Sequence, residues 1–191
     1  ICNPERPTTC VLMGEGRHRW EFMILPGETA AQVSDDAFIE KLLEPWNVKG
    51  AVRIERTAVY TFRARIAAQW RKGRVLLAGD AAHVNNPLGG MGLNFGVHDA
   101  HNLAHRLGRV WRGEAGSDLL DQYDRQRRAV AERYLQAQTI ANKQTLEETD
   151  ETQRLARQAA MRATAADPQQ AREYLRRTAM IEGLRAAAAI D

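Results

Sequence analysis

The chain has 191 residues, enough for one substantial domain or two small ones. Hydrophobic residues make up 44% and charged ones 27%, and 27 Lys+Arg against 24 Asp+Glu leave a formal charge of only +3, the composition of a soluble globular protein. Aromatics are only 6%, and the basic side chains lie beside acids such as Asp121, Asp124, Glu132, Glu147 and Glu148, which argues against a nucleic-acid partner and for solvated helix faces.

No apolar run approaches the ~20 residues of a membrane span, and no signal peptide is visible, so no membrane partner is expected. Cys2 and Cys10 offer neither a metal-ligand spacing nor a disulfide framework, which fits a reducing compartment and a cytoplasmic protein. The first residue is Ile1, and the chain leads directly into strand-like sequence; a piece of a longer protein is expected.

In chain order, Thr8–Gly14 and Trp20–Leu25 are apolar stretches flanking Gly16, a pattern that predicts a β-hairpin stopped by Pro26-Gly27. Ser34-Asp35-Asp36 supplies an N-cap and an acidic first turn for a helix whose face is Phe38, Ile39, Leu42, Leu43 and Trp46. Val52, Ile54, Val59, Tyr60 and Phe62 predict an extended segment over Ala51–Arg65. Arg74–Asp80 is expected to be a short strand buried on both faces. A glycine-rich loop then leads into a helix over about Gly92–Trp111, with Leu93, Val97, Ala100, Ala104, Leu107 and Trp111 as its buried stripe. One long helix is expected between about Ser117 and Leu146 and another over roughly Thr152–Ala165. Asp167-Pro168 opens the last, since proline is tolerated at the first helical position. The Ala-rich tail, Ala186–Ala189, reads as a solvated helix. Strands first and helices after give an α+β arrangement.

The informative segment is Arg74–Leu107. Asp80 at a strand tip can accept hydrogen bonds from a polyol. Gly89, Gly90 and Gly92 strip the helix start of side chains, so that a flat ligand can reach amides carrying partial positive charge. An ordinary strand–loop–helix connection explains Gly79-Asp80 alone, but not several glycines beside Pro87.

This segment, GDAAH at Gly79–His83 with Pro87 and GGMGLNFGVHDAHNLAHRL at Gly89–Leu107, resembles the second FAD-binding motif of the class A flavoprotein aromatic hydroxylases. The subgroup resembled most is the phenol hydroxylase and 3-(3-hydroxyphenyl)propionate hydroxylase type. Arg19–Glu28 is similar to that subgroup's sheet strand, Trp70–His83 continues it, and Leu119–Ala129 is similar to its Y-x-x-E-R-R-P helix. The resemblance implies an FAD-dependent enzyme that hydroxylates a phenolic or other aromatic substrate with NAD(P)H and O2. It implies part of a substrate-domain sheet over residues 1–66, the C-terminal part of an FAD-binding domain over 67–116 and a helical region over 117–191.

By the same resemblance, Asp80, beside Gly79, holds the ribityl hydroxyls, Pro87 lies by the reactive face of the ring, and the backbone of Gly90, Gly92, Leu93 and Asn94 meets its pyrimidine edge. The catalytic residues stay unassigned; Pro87 and, more weakly, His83 are the candidates. Three departures bear on this. Asn86 precedes Pro87 where the family has a second proline. Gln126 and Ala129 replace the family's Glu and Pro, which predicts the loss of an ion pair and of a helix end. No GxGxxG for the FAD pyrophosphate is present, so the chain by itself is not expected to complete a turnover.

Met23 and Phe62 are candidates for lining an aromatic substrate pocket, although core packing is the commoner fate of such residues. His98, His101 and His105 share a helix at spacings of three and four, but no Glu or Cys completes a zinc set, and no metal is expected. Two alternatives stay open: a reductase or epoxidase of the same fold, and a non-catalytic folded remnant or interaction module. Because two halves of one core are separated in such a piece, exposed apolar surface and self-association, as in a homo-oligomer, are expected.

Overall fold

The structure, a computed structural model, describes residues 3–191. Ile1 and Cys2, with the expectations resting on them, lie outside the described residues. The chain divides into two compact units, one holding the described residues up to Thr61 together with Leu146–Thr149, the other holding Phe62–Thr145 and Asp150–Asp191.

In the first unit, β1 (Thr8–Leu12) and β2 (His18–Phe22) form the expected antiparallel hairpin, with Cys10 opposite Trp20 and Thr8 opposite Phe22. Glu15 and Gly16 both take positive φ at its turn. A single turn, α1 (Ala30–Val33), precedes α2 (Asp36–Leu43), whose N-cap Asp35 accepts hydrogen bonds from the Ala37 and Phe38 amides. A 3-10 turn, Glu44–Trp46, sets the Trp46 ring edge-on to Phe22 at 5.5 Å. Among the described residues of this unit only Pro7 and Thr8 are buried. Polar contacts supplement the thin apolar packing: Arg6 forks onto Glu28, donates to the Met23 carbonyl at 2.6 Å and lies over the Phe38 ring.

The expected strand over Ala51–Arg65 does not form. Of that stretch only Arg65 joins a strand, and Val52, Ile54, Val59, Tyr60 and Phe62 are all exposed. Alternating apolar residues supply a face, but a strand also needs a neighbour to accept its ladder, and none of the described strands lies beside residues 53–64.

Among the described residues the second unit contains two two-residue ladders: β3 (Arg65–Ile66) with β6 (His83–Val84), and β4 (Arg71–Lys72) with β5 (Val75–Leu76) across Gly73. The expected strand over Arg74–Asp80 is thus cut to two residues, and Val75 is exposed rather than buried on both faces, because β4 is its only ladder partner among the described residues.

Three helices make the frame. α3 runs over Met91–Trp111 and α4 over Leu119–Val130; a π-helical segment, Ala131–Gln136, joins α4 directly to α5 (Ala137–Glu147). The single long helix expected here is therefore present, with a one-turn widening inside it. Ala129 does not end it. α6 (Glu151–Ala166), α7 (Pro168–Thr178) and α8 (Ile181–Ala188) follow, and Asp167 caps α7 by accepting from the Gln169 and Gln170 amides. The tail is not simply solvated: Ala187 is buried in the core, and Gly183 lets Val130 and Tyr134 approach α8.

The core gathers Trp70, Ala82, Met91, Phe95, Tyr123, Val130, Ala131 and Leu135. It contradicts the stripe expected for α3. Leu93 is 78% exposed, Val97 57% and Trp111 87%, whereas the buried residues of that helix are Met91, Phe95 and Asp99. No helix among the described residues is long and apolar enough to cross a membrane.

Candidate functional site

The second unit's chain turns from β5 into a 3-10 turn, Gly79–Ala81. Gly79 takes φ +59, a conformation open to glycine at little cost. Its Cα faces Gly96 of α3 so closely that a Cβ on Gly96 would stand 3.2 Å from it. Two glycines thus press the turn directly onto the helix backbone. Asp80, the next residue, is exposed at the tip.

After β6 the loop Asn85–Gly90 carries Pro87, exposed, and leads to Gly90, which takes φ +63 at the N-cap of α3. No side chain caps this helix start, and the first turn holds no acid. A Cβ on Gly90 would meet nothing within 4 Å. Gly92 is half-buried against Asn85, and Leu93 and Asn94 are exposed, with the Asn94 amide donating to the Gly90 carbonyl. Asn86 does more than replace a proline: it donates to the Thr139 carbonyl at 2.9 Å and accepts from the Leu88 amide, while Asn142 donates to the Leu88 carbonyl. The loop is strapped to α5 at both ends of Pro87.

Beneath this surface lies a polar cluster absent from the sequence reading. Asp99 is fully buried; its Oδ1 accepts from Arg127 Nε at 2.7 Å, and its Oδ2 accepts from the Gly79 amide at 3.2 Å and lies 2.7 Å from His83 Nε2. A carboxylate offers only acceptors, so His83 carries its proton on Nε2. α4 clamps the same region: Tyr123 donates to the Leu77 carbonyl at 2.6 Å and Asp124 accepts from the Trp70 amide. Burial, and then the charge of Asp99, push the Tyr123 phenol well above its usual range and keep it a neutral donor. Gln126, in place of the family's Glu, accepts from the Arg106 guanidinium at 2.6 Å, so a hydrogen bond from a charged donor to a neutral acceptor stands where an ion pair was expected to be lost.

The expected cofactor residues Gly79, Asp80, Gly90, Gly92, Leu93 and Asn94 therefore fall on one turn and one helix start held together by the Gly79–Gly96 approach. His83 is buried below them, tied to Asp99. The expected substrate residues fall in separate units, Met23 half-buried beside the hairpin and Phe62 54% exposed. No group of three or more His, Cys, Asp or Glu among the described residues could hold a metal ion. His98 instead lines a cleft of about 480 Å³ with Gly89, Asn94 and Asn142, where burial lowers its pKa.

The fold and this corner define an FAD-binding domain. Residues 9–138 match the FAD binding domain family, and the chain belongs to it. Over 143 residues, 74% of this chain, it is 43% identical to the 3-(3-hydroxy-phenyl)propionate/3-hydroxycinnamic acid hydroxylase of Mycolicibacterium smegmatis, of which it covers 25%. It is also similar in structure to p-nitrophenol 4-monooxygenase PnpA from Pseudomonas putida DLL-E4, with a TM-score of 0.69 and 32% identity over 90% of this chain and 43% of that one. A third likeness is to aklavinone-11 hydroxylase, solved with FAD and aklavinone, with a TM-score of 0.65 and 32% identity over 76% of this chain and 28% of that one. The chain spans about a quarter of the length of the curated relatives it matches.

The residues present fit FAD. An uncapped helix start with an empty Cβ position at Gly90 leaves amides open to a flat, electron-rich ring edge, and Asp80 is an exposed carboxylate that can accept from polyol hydroxyls.

Proposed function

We propose that this chain forms the ribityl- and ring-edge-binding part of a longer, cytoplasmic FAD-dependent monooxygenase that hydroxylates a phenolic or other aromatic substrate with NAD(P)H and O2. On this reading, residues 1–66 belong to a substrate-binding sheet domain, 67–116 to the FAD-binding domain and 117–191 to a helical region. The observation that carries the proposal is the bare start of α3 beside the exposed Asp80 in a chain of this family. The share of the relatives' length that it covers supports its being part of a longer protein.

Bound FAD supplies the redox and oxygen chemistry of such an enzyme. The residues of this chain bind and orient it. Asp80 accepts from the ribityl hydroxyls, with Gly79 allowing the turn. The amides of Gly92, Leu93 and Asn94 oppose negative charge along the ring edge, assisted by the helix dipole. Pro87, held by the Asn86 and Asn142 straps, closes the loop beside the ring face. Met23 and Phe62 are proposed to face the aromatic substrate.

Titration of the chain with FAD, followed by quenching of flavin fluorescence, tests the cofactor part. Asp80→Ala removes a charged acceptor and is expected to weaken binding by roughly ten- to a hundredfold, the equivalent of about 1.5–3 kcal/mol. Equal affinity in wild type and variant would remove Asp80 from the site. Product analysis of the longer protein with phenolic acids tests the reaction: ring hydroxylation is expected, and nicotinamide oxidation without a hydroxylated product would favour a reductase.

A further inference from the structure

Asp99 is the one buried acid among the described residues, yet it touches no atom proposed to meet the cofactor. Its three neighbours come from three different elements: the Gly79 amide from the turn, His83 from β6 and Arg127 from α4. Asp99 itself sits on α3, five residues beyond Asn94 on the helix whose first turn presents the open amides. A buried carboxylate is costly unless it is neutralised and its lone pairs are used. Here Arg127, which also lies over the Phe95 ring at 5.7 Å, neutralises it, and the Gly79 amide and His83 occupy the other oxygen.

We infer that Asp99 is a positioning residue: it locks the Gly79–Asp80 turn to α3, so that one helix fixes both the carboxylate offered to the polyol and the amides offered to the ring edge. The Gly79–Gly96 approach sets the separation of turn and helix. It is a contact without direction and would let the turn slide. The hydrogen bond from the Gly79 amide supplies the direction, and Asp80, one residue on, inherits it. His83 then serves the turn as an orienting donor rather than as a base. Its other nitrogen, Nδ1, is buried and has no hydrogen-bond partner among the described residues.

The inference rests on the proposed cofactor reading for its consequence, but not for the tie itself, and the test separates the two. Asp99→Leu with Arg127→Met removes both charges together and is expected to keep the fold, since buried pairs replaced by apolar residues of similar volume are often neutral. Asp99→Asn keeps the shape but cannot accept from all three donors. Amide hydrogen exchange on the 191-residue chain is the first readout. In the double variant, exchange at Gly79–His83 is expected to accelerate at least tenfold while exchange in α4 and α5 stays as in wild type; a purely structural role would accelerate all of them together. Asp99→Asn is expected to fall between the two. FAD titration is the second readout, with affinity falling about tenfold in the double variant although Asp80 is intact. Unchanged exchange at Gly79 in a folded double variant would overturn the inference, and so would faster exchange there with FAD affinity unaltered. If the wild-type chain takes up no FAD, the cofactor reading fails for the isolated chain, and the exchange pattern still decides whether Asp99 ties the turn.

Discussion

Helix α3 has two stripes at helical spacing, and they have opposite fates. Met91, Phe95 and Asp99 are buried; Leu93, Val97, Leu107 and Trp111 stand in solvent. At roughly 100° per residue the two stripes lie on nearly opposite sides of the helix. By hydrophobicity alone the second is the better candidate for the core, since it is longer and free of charge. The first is chosen because its charge is answered: Arg127 and His83 meet Asp99, and the ring of Phe95 packs between His83 and Arg127. Burial follows the whole set of partners, not the apolarity of one stripe.

The sharpest way to break the comparison is to leave Asp99 unanswered. Arg127→Ala strands a buried carboxylate and is expected to cost about 3–5 kcal/mol in urea unfolding, more than any change on the exposed stripe. Recovery of most of that loss in the Asp99→Leu, Arg127→Met pair would place the cost in the unpaired charge; no recovery would place it in lost packing. Next in size is a matched pair of truncations two residues apart. Met91→Ala is expected to cost ~2 kcal/mol or more, and Leu93→Ala less than ~0.5 kcal/mol. Equal losses would mean that both faces are covered in solution.

The same comparison explains what could be read from sequence. The helix, its start at the glycines, the hairpin over Thr8–Leu12 and His18–Phe22 and the Asp167 cap were legible because caps, turns and periodicity are local. Asp80 and the bare Gly90 were legible because a motif carries them. Asp99 and Arg127 were not, although Arg127 lies within the segment similar to the Y-x-x-E-R-R-P helix. An acid on one helix and an arginine 28 residues away become partners only when α3 and α4 pack. Spacing gave one hint: Phe95 and Asp99 are four apart on α3, as Tyr123 and Arg127 are on α4, so each pair shares a face. The strand over Ala51–Arg65 failed for the complementary reason, since alternation within a segment says nothing of a neighbour to pair with.

The first unit offers a smaller, pH-dependent contrast. With almost no buried core, it relies on the Arg6–Glu28 fork, and the hydrogen bonds from Arg6 pull the Glu28 carboxyl down from 4.5 to about 2. A folded value below the ordinary one means that the stabilisation is complete above about pH 4.5 and is lost as pH falls toward 2. Fluorescence of Trp20 and Trp46 on acid titration is expected to report this loss, worth about 1.5 kcal/mol at neutral pH, the low end for a hydrogen bond to a charged group. Glu28→Gln should flatten the response over that window; an unchanged acid transition would assign it to other carboxylates.

The smallest effect on stability, and the sharpest on behaviour, belongs to the exposed stripe. Val97→Glu with Trp111→Glu should leave unfolding within about 0.5 kcal/mol of wild type, because neither side chain has a packed environment to lose. Monomeric proteins rarely leave a contiguous apolar patch of this length in water, so the wild-type chain is expected to self-associate through it. Sedimentation velocity at several concentrations distinguishes the two forms: a concentration-dependent rise in sedimentation coefficient for wild type, abolished in the double glutamate variant. A wild-type chain that stays monomeric throughout would show that the charged neighbours Arg109 and Arg112 suffice to keep this face apart from its copies, and the contrast between the two sides of α3 would then be one of packing alone.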